Sequence, residues 1–383
     1  MASFNFETSP RIVCEQGGAA RIGELAKGLG ASHVFIVTDA FLHNSGLTKS
    51  LLAGLEAQKL KHTLYTDVLA DPPEASVQAA VAQAIASGAD AVIGFGGGSA
   101  MDTAKLVALL VRTPQDIPSI YGVDIARGPR LPLIQVPTTA GTGSEVTPIS
   151  ILTTPKNKKK GVVSSCLYPD IAVLDSTLTL GLPPAITAAT GIDAMVHAIE
   201  AYTSRHKKNP LSDALALQAL KALHDNIRIV LAEPKNADAR EAMLMGSLFA
   251  GMAFANAPVA AVHALAYPLG GRYHLPHGLT NALVLSPVLR FNQPAATTLY
   301  AELERALNSQ ASSDDQAASL AFIERMSALV AEMPFAQTLS GNGVREADLP
   351  LLAQDAMAVQ RLLINNPREV TLADALAIYQ SVY

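Results

Sequence analysis

Short apolar runs and longer stretches with helical spacing alternate along the first half of the chain. The apolar runs are rich in Val and Ile and are bounded by Gly, Pro or Asp, which is typical of buried strands. We predict strands at His33–Thr38, Ala91–Phe95, Leu131–Val136 and Ile171–Leu174, with helices such as Glu74–Ser87 and Ser99–Val111 between them. This alternation predicts a parallel sheet with right-handed crossovers.

The pattern changes after Pro183-Pro184, where Ala- and Leu-rich segments with helical spacing continue to the last residue. We find no strand pattern among them. The chain is therefore predicted to have an α/β domain over residues 1–182 and an all-helical domain over residues 183–383, with the boundary at Gly181–Pro184.

One segment is long enough to raise the question of a membrane span, because residues 242–271 contain no Asp, Glu, Lys or Arg. Asn256-Ala257-Pro258 interrupts it, and a proline near the centre would break a spanning helix. Two buried helices are the better interpretation. Residues 1–10 lack the continuous apolar stretch of a secretory signal peptide.

Composition agrees with a globular protein that has a large core. Of 383 residues 49% are hydrophobic and only 16% are charged, and 28 basic against 33 acidic residues give a net charge of −5. The length predicts about two domains, and the low charge suggests buried subunit surface, so we expect a homo-oligomer, a dimer or larger. Weak acidity argues against a nucleic-acid partner. Two cysteines argue against a disulfide scaffold and favour the cytoplasm.

A glycine-rich turn follows the predicted strand Ala91–Phe95. Gly96-Gly97-Gly98-Ser99 precedes a helical pattern, and a helix N-terminus with glycines before it can cradle a pyrophosphate. The turn departs from the usual dinucleotide fingerprint, since Ser99 stands where the third glycine belongs. Taken alone, a tight turn without a ligand explains it equally well.

A second turn strengthens the nucleotide hypothesis. The segment Pro137–Glu145 follows a strand and contains four hydroxyls and two glycines, among them Thr138, Thr139 and Thr142. Asp39 ends the first predicted strand, where a carboxylate can accept both ribose hydroxyls or cap the next helix. The basic run Lys156–Lys160 is predicted to form a solvated turn, although one lysine could reach a phosphate.

Several histidines of the second half lie near other polar residues in apolar surroundings. Asp193 and His197 are four residues apart, so both project from one face of a helix. His263 lies in the uncharged segment, and His277 lies in a Pro-His-Gly turn that could return towards it. One carboxylate and three imidazoles suit Fe²⁺ or Zn²⁺. By spacing alone each histidine could equally be a hydrogen-bonded core residue.

These motifs together resemble the iron-containing (group III) alcohol dehydrogenases. The resemblance rests on Gly96–Ser99 with Asp102 and Lys105, on Pro137–Glu145, on Thr190–Tyr202 and on Pro276-His277-Gly278, and it covers nearly the whole chain. It implies a dehydroquinate synthase-like fold, with an N-terminal α/β nucleotide-binding domain and an all-α C-terminal metal-binding domain.

The resemblance also implies roles for individual residues. It places Fe²⁺, replaced by Zn²⁺ in some relatives, on Asp193, His197, His263 and His277. It places NAD, with NADP disfavoured by Asp39, on Gly96, Gly97, Gly98, Ser99, Asp102, Thr138, Thr139, Thr142, Thr147 and Lys160. It places the substrate against Ile149, Phe254, Val259 and Leu362. At Asp71 the sequence departs from the asparagine usual in relatives, so the resemblance assigns no cofactor contact to this residue.

The implied activity is interconversion of a small primary alcohol and its aldehyde by hydride transfer. Tyr267 stands where many relatives carry a histidine that relays protons; a tyrosine is a poorer base at neutral pH, so we expect water or a ribose hydroxyl to carry the proton with Tyr267 assisting. Arg361 beside Leu362 could instead meet a carboxylate, as in a dehydrogenase of ω-hydroxy acids such as 4-hydroxybutyrate. A metal-dependent lyase or cyclase on the same fold and a non-catalytic assembly protein are further alternatives.

Overall fold

The strands of the described chain all lie before residue 175, and the region after Pro183-Pro184 is helical there, as the change of pattern predicts. In the computed structural model, which describes residues 3–383, the chain divides into two compact units. One unit comprises residues 7–181, and the other comprises residues 182–383 with residues 3–6.

The first unit contains nine strands and five α-helices. The strands are β1 (Arg11–Cys14), β2 (His33–Val37), β3 (Lys61–Tyr65), β4 (Ala91–Gly96), β5 (Gly122–Val123), β6 (Leu133–Pro137), β7 (Ile149–Thr153), β8 (Lys159–Val163) and β9 (Ile171–Leu174). The helices are α1 (Ile22–Gly28), α2 (Ala40–Asn44), α3 (Lys49–Ala57), α4 (Glu74–Ser87) and α5 (Gly98–Arg112). The four predicted strands and two predicted helices are present, with ends displaced by two residues at most.

Six strands form a parallel sheet in the order β1-β9-β6-β4-β2-β3. Successive side chains of a strand point to opposite faces. Val34 and Ile36 accordingly pack in one apolar cluster together with residues of α1 and α3. Phe35 and Val37 pack in a second cluster with residues of α4 and α5. Helices therefore cover both faces of the sheet, which is why the predicted strands are continuous apolar runs.

The strand order places three carboxyl ends side by side. From β2 the chain moves outward to β3, then returns to β4 and continues to β6 on the other side. The order thus reverses between β2 and β4, and open α/β sheets bind ligands in the crevice at such a reversal. Val37 of β2 pairs with Gly94 of β4, and Gly96 pairs with Pro137 of β6. Asp39, the glycine turn and the threonine loop follow these three strand ends.

A small second sheet was absent from the sequence prediction. Its order is β5-β8-β7, with β5 and β8 parallel and β7 and β8 antiparallel. Strand β8 begins inside the lysine run, so the prediction of a solvated turn over Lys156–Lys160 is wrong for its last two residues. Lys159 is a strand residue whose side chain is only 4% exposed, because its ammonium pairs with Asp71 at 2.7 Å.

The second unit is built from helices alone among its described residues. They are α6 (Pro184–Tyr202), α7 (Pro210–Ala232), α8 (Ala237–Asn256), α9 (Ala261–Tyr273), α10 (His277–Leu307), α11 (Asp315–Ala331), α12 (Leu349–Met357), α13 (Gln360–Leu363) and α14 (Leu372–Ser381). Helices α6, α7 and α8 pack on one another, and α10 packs against α6, α9 and α11. This confirms an α/β domain followed by a helical domain.

The uncharged segment forms two separate helices, as predicted. Helix α8 ends at Asn256 and α9 begins at Ala261. In the described part of the chain no single helix has both the length and the apolar composition for a membrane span. Helices α8 and α9 meet that test only as a pair, and the chain bends by 105° between them.

Candidate metal centre and nucleotide-binding turns

Three helices of the second unit bring one carboxylate and three imidazoles together. Asp193 and His197 project from α6, His263 from α9 and His277 from the first turn of α10. One ligand atom from each residue lies within 4.8 Å of the others. We call these four residues the metal cluster.

A glycine permits the close approach of α10 to α6. A Cβ atom at Gly278 would lie 2.2 Å from the backbone oxygen of Ala189, a distance that no side chain tolerates. Gly278 therefore lets the start of α10 approach the α6 backbone closely, with His277 beside it. The Nε2 atoms of His277 and His263 lie 3.7 and 3.8 Å from the Asp193 carboxylate.

The donor set and its spacing fit a divalent cation. Ligand atoms bound about 2.0–2.2 Å from one tetrahedral cation lie about 3.3–3.6 Å apart, and the separations of 3.7 and 3.8 Å exceed this spacing by only a few tenths of an ångström. Burial opposes ionisation of Asp193, but the three imidazoles and the Asn281 amide outweigh it and hold the pKa of this carboxyl below its ordinary value. Asp193 is thus in the anionic form that binds metal at neutral pH.

Two further side chains complete the surroundings of the cluster, and neither had been assigned a role. Glu200 on α6 accepts a hydrogen bond from His263 Nδ1 at 2.6 Å and another from the backbone N–H of Val262 at 2.7 Å. A carboxylate at Nδ1 fixes the tautomer that leaves the Nε2 lone pair towards the cluster. Asn281 donates to Asp193 at 2.5 Å, while its own oxygen is buried without a partner.

Around the cluster the predicted substrate-pocket residues separate into two groups. Phe254 stacks on His197 with ring centroids 4.3 Å apart, and the buried residues Val259 and Leu362 lie in the same unit. Ile149 lies on β7 of the other unit, where its backbone oxygen accepts from Lys105. Tyr267 lies on α9 with its ring centroid 6.0 Å from that of His277.

The glycine turn has the geometry of an anion cradle. β4 ends at Gly96, whose φ of +153° favours glycine, and α5 begins at Gly98 after Gly97 as N-cap. No side chain caps the first backbone N–H groups of α5, so they remain available together with the positive end of the helix dipole. A Cβ atom at Gly98 would lie 2.8 Å from the methyl group of Thr142. The glycine turn and the threonine loop therefore pack directly on each other.

A backbone hydrogen bond joins the two turns, and further hydrogen bonds hold each of them. The backbone N–H of Thr138 donates to Gly96 at 3.0 Å, and the side chain of Thr142 accepts from the backbone of Ser144 at 3.3 Å. The Ser99 hydroxyl accepts from the backbone N–H of Asp71 at 3.2 Å. Thr139 is half-buried beside the position that a Cβ of Gly97 would take.

Behind these turns lies a buried set of polar residues, Asp102, Lys105, Ser144 and Glu145, which we call the Lys105 cluster. The ammonium of Lys105 donates to Ser144 at 2.7 Å, and Ser144 donates to Asp102 at 2.6 Å. Burial raises the pKa of Glu145 to about 7 and lowers that of Lys105 to about 8. One carboxylate oxygen of Glu145 is buried without a partner.

Two residues that the resemblance had assigned to the cofactor lie here: Asp102 belongs to this cluster, and Thr147 contacts it. The carboxylate of Asp102 accepts from Ser144 and from the Ile151 backbone, and the Thr147 hydroxyl accepts from Lys105 at 3.1 Å. Both side chains hold α5, the threonine loop and β7 together. Their contact with NAD stays a prediction.

The remaining nucleotide candidates differ in their surroundings. Asp39 accepts from the backbone N–H of Leu42 at 2.9 Å and caps α2, so the helix-cap alternative is correct and a ribose role would be additional. The ammonium of Lys160 lies 5.3 Å from the ring centroid of Tyr121. Asp71 has a positive φ of 49° and pairs with Lys159.

An α/β unit with an anion cradle at its sheet reversal, followed by a helical unit with a buried carboxylate–imidazole cluster, is suited to a metal-dependent dehydrogenase. Family models agree with this class: iron-containing alcohol dehydrogenase matches residues 9–176, and the C-terminal part of the Fe-containing alcohol dehydrogenase family matches residues 187–383. The chain belongs to the iron-containing alcohol dehydrogenase family, which confirms the resemblance.

Individual relatives cover the full length. The chain is 39% identical over 387 aligned positions to a sulfoacetaldehyde reductase from Bilophila wadsworthia, covering 99% of both chains. A crystal structure of 1,3-propanediol oxidoreductase superimposes with a TM-score of 0.96 at 32% identity, covering 100% of both chains. A sulfoacetaldehyde reductase from Bifidobacterium kashiwanohense in complex with NAD⁺ has a TM-score of 0.88 at 31% identity, covering 100% of this chain and 99% of that one.

Proposed function

We propose that this protein is an NAD-dependent, iron-containing alcohol dehydrogenase that interconverts a small primary alcohol and its aldehyde. The observation that carries the proposal is the convergence of Asp193, His197, His263 and His277 within one family fold. Zn²⁺ could replace Fe²⁺ on the same ligands. The relatives named above are reductases and oxidoreductases of small aldehydes and alcohols, which supports this reaction class.

We assign residues 1–182 to nucleotide binding and residues 183–383 to metal and substrate binding. A divalent cation on the metal cluster supplies Lewis acidity, which stabilises negative charge on an alcohol oxygen. NAD supplies the hydride acceptor, and the protein supplies position and electrostatics. The carboxylate of Asp39 favours NAD over NADP, since it would repel a 2′-phosphate.

The chain's own residues have distinct tasks in this proposal. Glu200 holds His263 in the ligating tautomer, and Gly278 lets His277 approach Asp193. The first turn of α5 and Thr139 would orient the pyrophosphate. Tyr267, beside His277, would assist proton movement between the substrate oxygen and water or a ribose hydroxyl.

Histidine replacement beside a matched control tests the proposal. We expect anaerobically purified protein to bind about one Fe²⁺ or Zn²⁺ per chain and to oxidise NADH, followed at 340 nm, with aldehydes of two to four carbons. His277→Asn should lose bound metal and lower kcat/KM at least ~10³-fold. His274→Asn is the control, because His274 is exposed, lies outside the metal cluster and has a φ of +54° that asparagine tolerates.

Net conversion of NADH also separates this function from a lyase or cyclase that would bind NAD without consuming it. If metal-loaded protein turned over no alcohol or aldehyde, the dehydrogenase assignment would be wrong. Equal metal content in the two histidine variants would show that His277, and with it the metal cluster, does not bind the metal.

We further propose that the protein is cytoplasmic and assembles as a homo-oligomer, a dimer or larger. Neither Cys14 nor Cys166 forms a disulfide, and the low charged fraction is the support for buried subunit surface. Light scattering coupled to gel filtration measures the mass of the particle. A mass of one chain across micromolar concentrations would contradict the oligomer.

A further inference from the structure

The guanidinium of Arg361 contacts Tyr267, whose ring is a neighbour of the metal-cluster residue His277. The short helix α13 carries it to α9, where it is 3.4 Å from the Tyr267 hydroxyl and its carbon is 6.0 Å from that ring centroid. Several other arginines of this unit pair with carboxylates, such as Arg325 with Glu304 and Arg272 with Asp355. No carboxylate of the described chain lies within 4.0 Å of Arg361, so no ion pair among these residues holds its guanidinium.

The ligand of the metal cluster nearest to Tyr267 is also the most exposed one. The side chains of Asp193 and His263 are 3% and 2% exposed, whereas that of His277 is 28% exposed. Solvent therefore reaches the cluster from the His277 side. Tyr267 lies on that side, next to His277, and Arg361 is on Tyr267. The guanidinium of Arg361 is thus linked to the most exposed ligand, His277, through the side chain of Tyr267.

A second arginine is hydrogen-bonded to the same segment through its backbone. The backbone N–H of Arg205, just after α6, donates to the Asn365 oxygen at 2.8 Å, and the Asn365 side chain donates to the Arg361 oxygen at 3.1 Å. Arg205 is exposed and, within the described residues, also lacks a paired carboxylate.

We propose that the substrates carry a terminal anionic group, a carboxylate or a sulfonate, which Arg361 binds while the aldehyde or alcohol carbon lies at the metal cluster. This inference rests on the proposed dehydrogenase function and narrows its substrate class. In the reductive direction the aldehyde carbon gains hydride from NADH, its oxygen gains a proton from solvent, and the anionic group is unchanged. A guanidinium suits the anchor role, because its fork donates two hydrogen bonds to one oxyanion group.

Matched aldehydes test the proposal in metal-loaded full-length protein. Succinate semialdehyde carries a carboxylate, sulfoacetaldehyde carries a sulfonate, and propanal and butanal are neutral. We expect kcat/KM to be at least ~10-fold higher for one or both anionic aldehydes than for the neutral ones. The difference should lie in KM, and added salt should reduce it. Comparison of the two anionic probes distinguishes carboxylate from sulfonate.

Substitution at position 361 makes the test specific. Arg361→Gln should lower kcat/KM for the preferred anionic aldehyde ~30–100-fold and affect the neutral aldehydes at least ~10-fold less, while Arg361→Lys recovers part of the loss. Arg368→Gln is the control, because Arg368 lies in the same segment with its guanidinium on the Phe291 ring. Ethanesulfonate and butyrate are unreactive anions and should inhibit the turnover of butanal by the wild type competitively. They should no longer inhibit the Arg361→Gln variant.

Equal losses for charged and neutral aldehydes in Arg361→Gln, or a wild-type preference for neutral aldehydes, would overturn the anionic substrate class and leave the dehydrogenase function intact. Absence of NADH oxidation with every aldehyde would instead overturn the dehydrogenase function itself, and this inference with it.

Discussion

At the residue scale, a single buried carboxylate decides which nitrogen of His263 faces the metal cluster. Glu200 lies seven residues after Asp193 and three after His197, so all three project from one face of α6. It is 4% exposed and receives two hydrogen bonds, from His263 and Val262. Partners of this kind hold a ligating histidine in its tautomer and raise its basicity.

We therefore expect Glu200→Gln to weaken metal binding ~10–100-fold without replacing any ligand. The amide keeps the shape of the side chain but loses the charge that favours the Nδ1–H tautomer. Competition with a chelator, followed by elemental analysis, measures the dissociation constant. Glu324→Gln on the exposed face of α11 is the control, and an unchanged constant in folded Glu200→Gln would contradict the role of Glu200.

The Lys105 cluster makes a different prediction, because a carboxyl with a pKa near neutrality links stability to pH. Burial raises the pKa of Glu145 from 4.5 to about 7. Between these values the folded chain keeps a proton that the unfolded chain releases. The stabilising contribution is complete below about 4.5 and is lost as pH rises through about 7.

Wild type should thus lose up to about 3 kcal/mol of stability relative to Glu145→Gln between pH 5 and pH 8. Thermal unfolding of both proteins across this range measures the difference, and a few °C per kcal/mol is expected for a unit of this size. The two proteins are compared by how their unfolding temperatures change with pH, not by the unfolding temperatures themselves. Glu56→Gln on the exposed side of α3 should follow wild type, and parallel curves for wild type and Glu145→Gln would count against the raised pKa.

At the element scale, the sequence predicts the helices and strands that have a clear apolar pattern and misses the strands that are short or partly exposed. Buried parallel strands are continuous apolar runs, and β9 and α4 have the predicted ends. Strand β3 is mostly half-buried, and β5 has only two residues, so neither has a clear apolar pattern. Strand β8 begins with lysines, and Lys159 is buried there because it pairs with Asp71. No local sequence pattern reveals this ion pair.

The same reasoning applies to the candidate site. The i, i+4 spacing indicates that Asp193 and His197 share a helical face, and the structure brings both together with His263 and His277. The partner role of Glu200 was missed, although its spacing on α6 would have pointed to it. The role of Asn281 depends on packing of α10 against α6, which spacing within one helix does not describe.

The junction between β4 and α5 allows a test of nucleotide binding separate from folding. A Cβ atom at Gly97 would meet only the Thr139 side chain, at 3.5 and 3.6 Å, which is an ordinary contact. Gly97→Ala should therefore fold normally. Because its backbone lies at the proposed pyrophosphate cradle, we expect the dissociation constant for NADH to rise at least ~10-fold with the melting temperature within about 2 °C of wild type.

Fluorescence of bound NADH measures the affinity. Gly181→Ala is the control, because Gly181 has no atom within 4 Å of an added Cβ and lies outside the turn. Unchanged NADH affinity in Gly97→Ala would mean that the glycine turn is structural only.

At the scale of the whole molecule, the two proposed ligands act on different units. The metal cluster lies entirely in residues 182–383, and the glycine turn lies entirely in residues 7–181. A ligand that binds only the folded state stabilises it by RT ln(1 + [L]/Kd), about 2.7 kcal/mol at a hundredfold excess over Kd. Each ligand should first stabilise the elements that hold it.

Amide hydrogen exchange followed by mass spectrometry resolves this by segment. Removal of metal by a chelator should leave the three imidazoles and Asp193 buried without their cation, so we expect exchange to speed up at least ~10-fold in peptides of α6, α9 and the first turns of α10. Peptides of β4 and α5 should change little with metal and become protected by NADH. His277→Asn without chelator should reproduce the metal-free pattern, whereas a uniform change in both units on chelation would show that the metal stabilises the molecule as one body and that the ligands do not act locally.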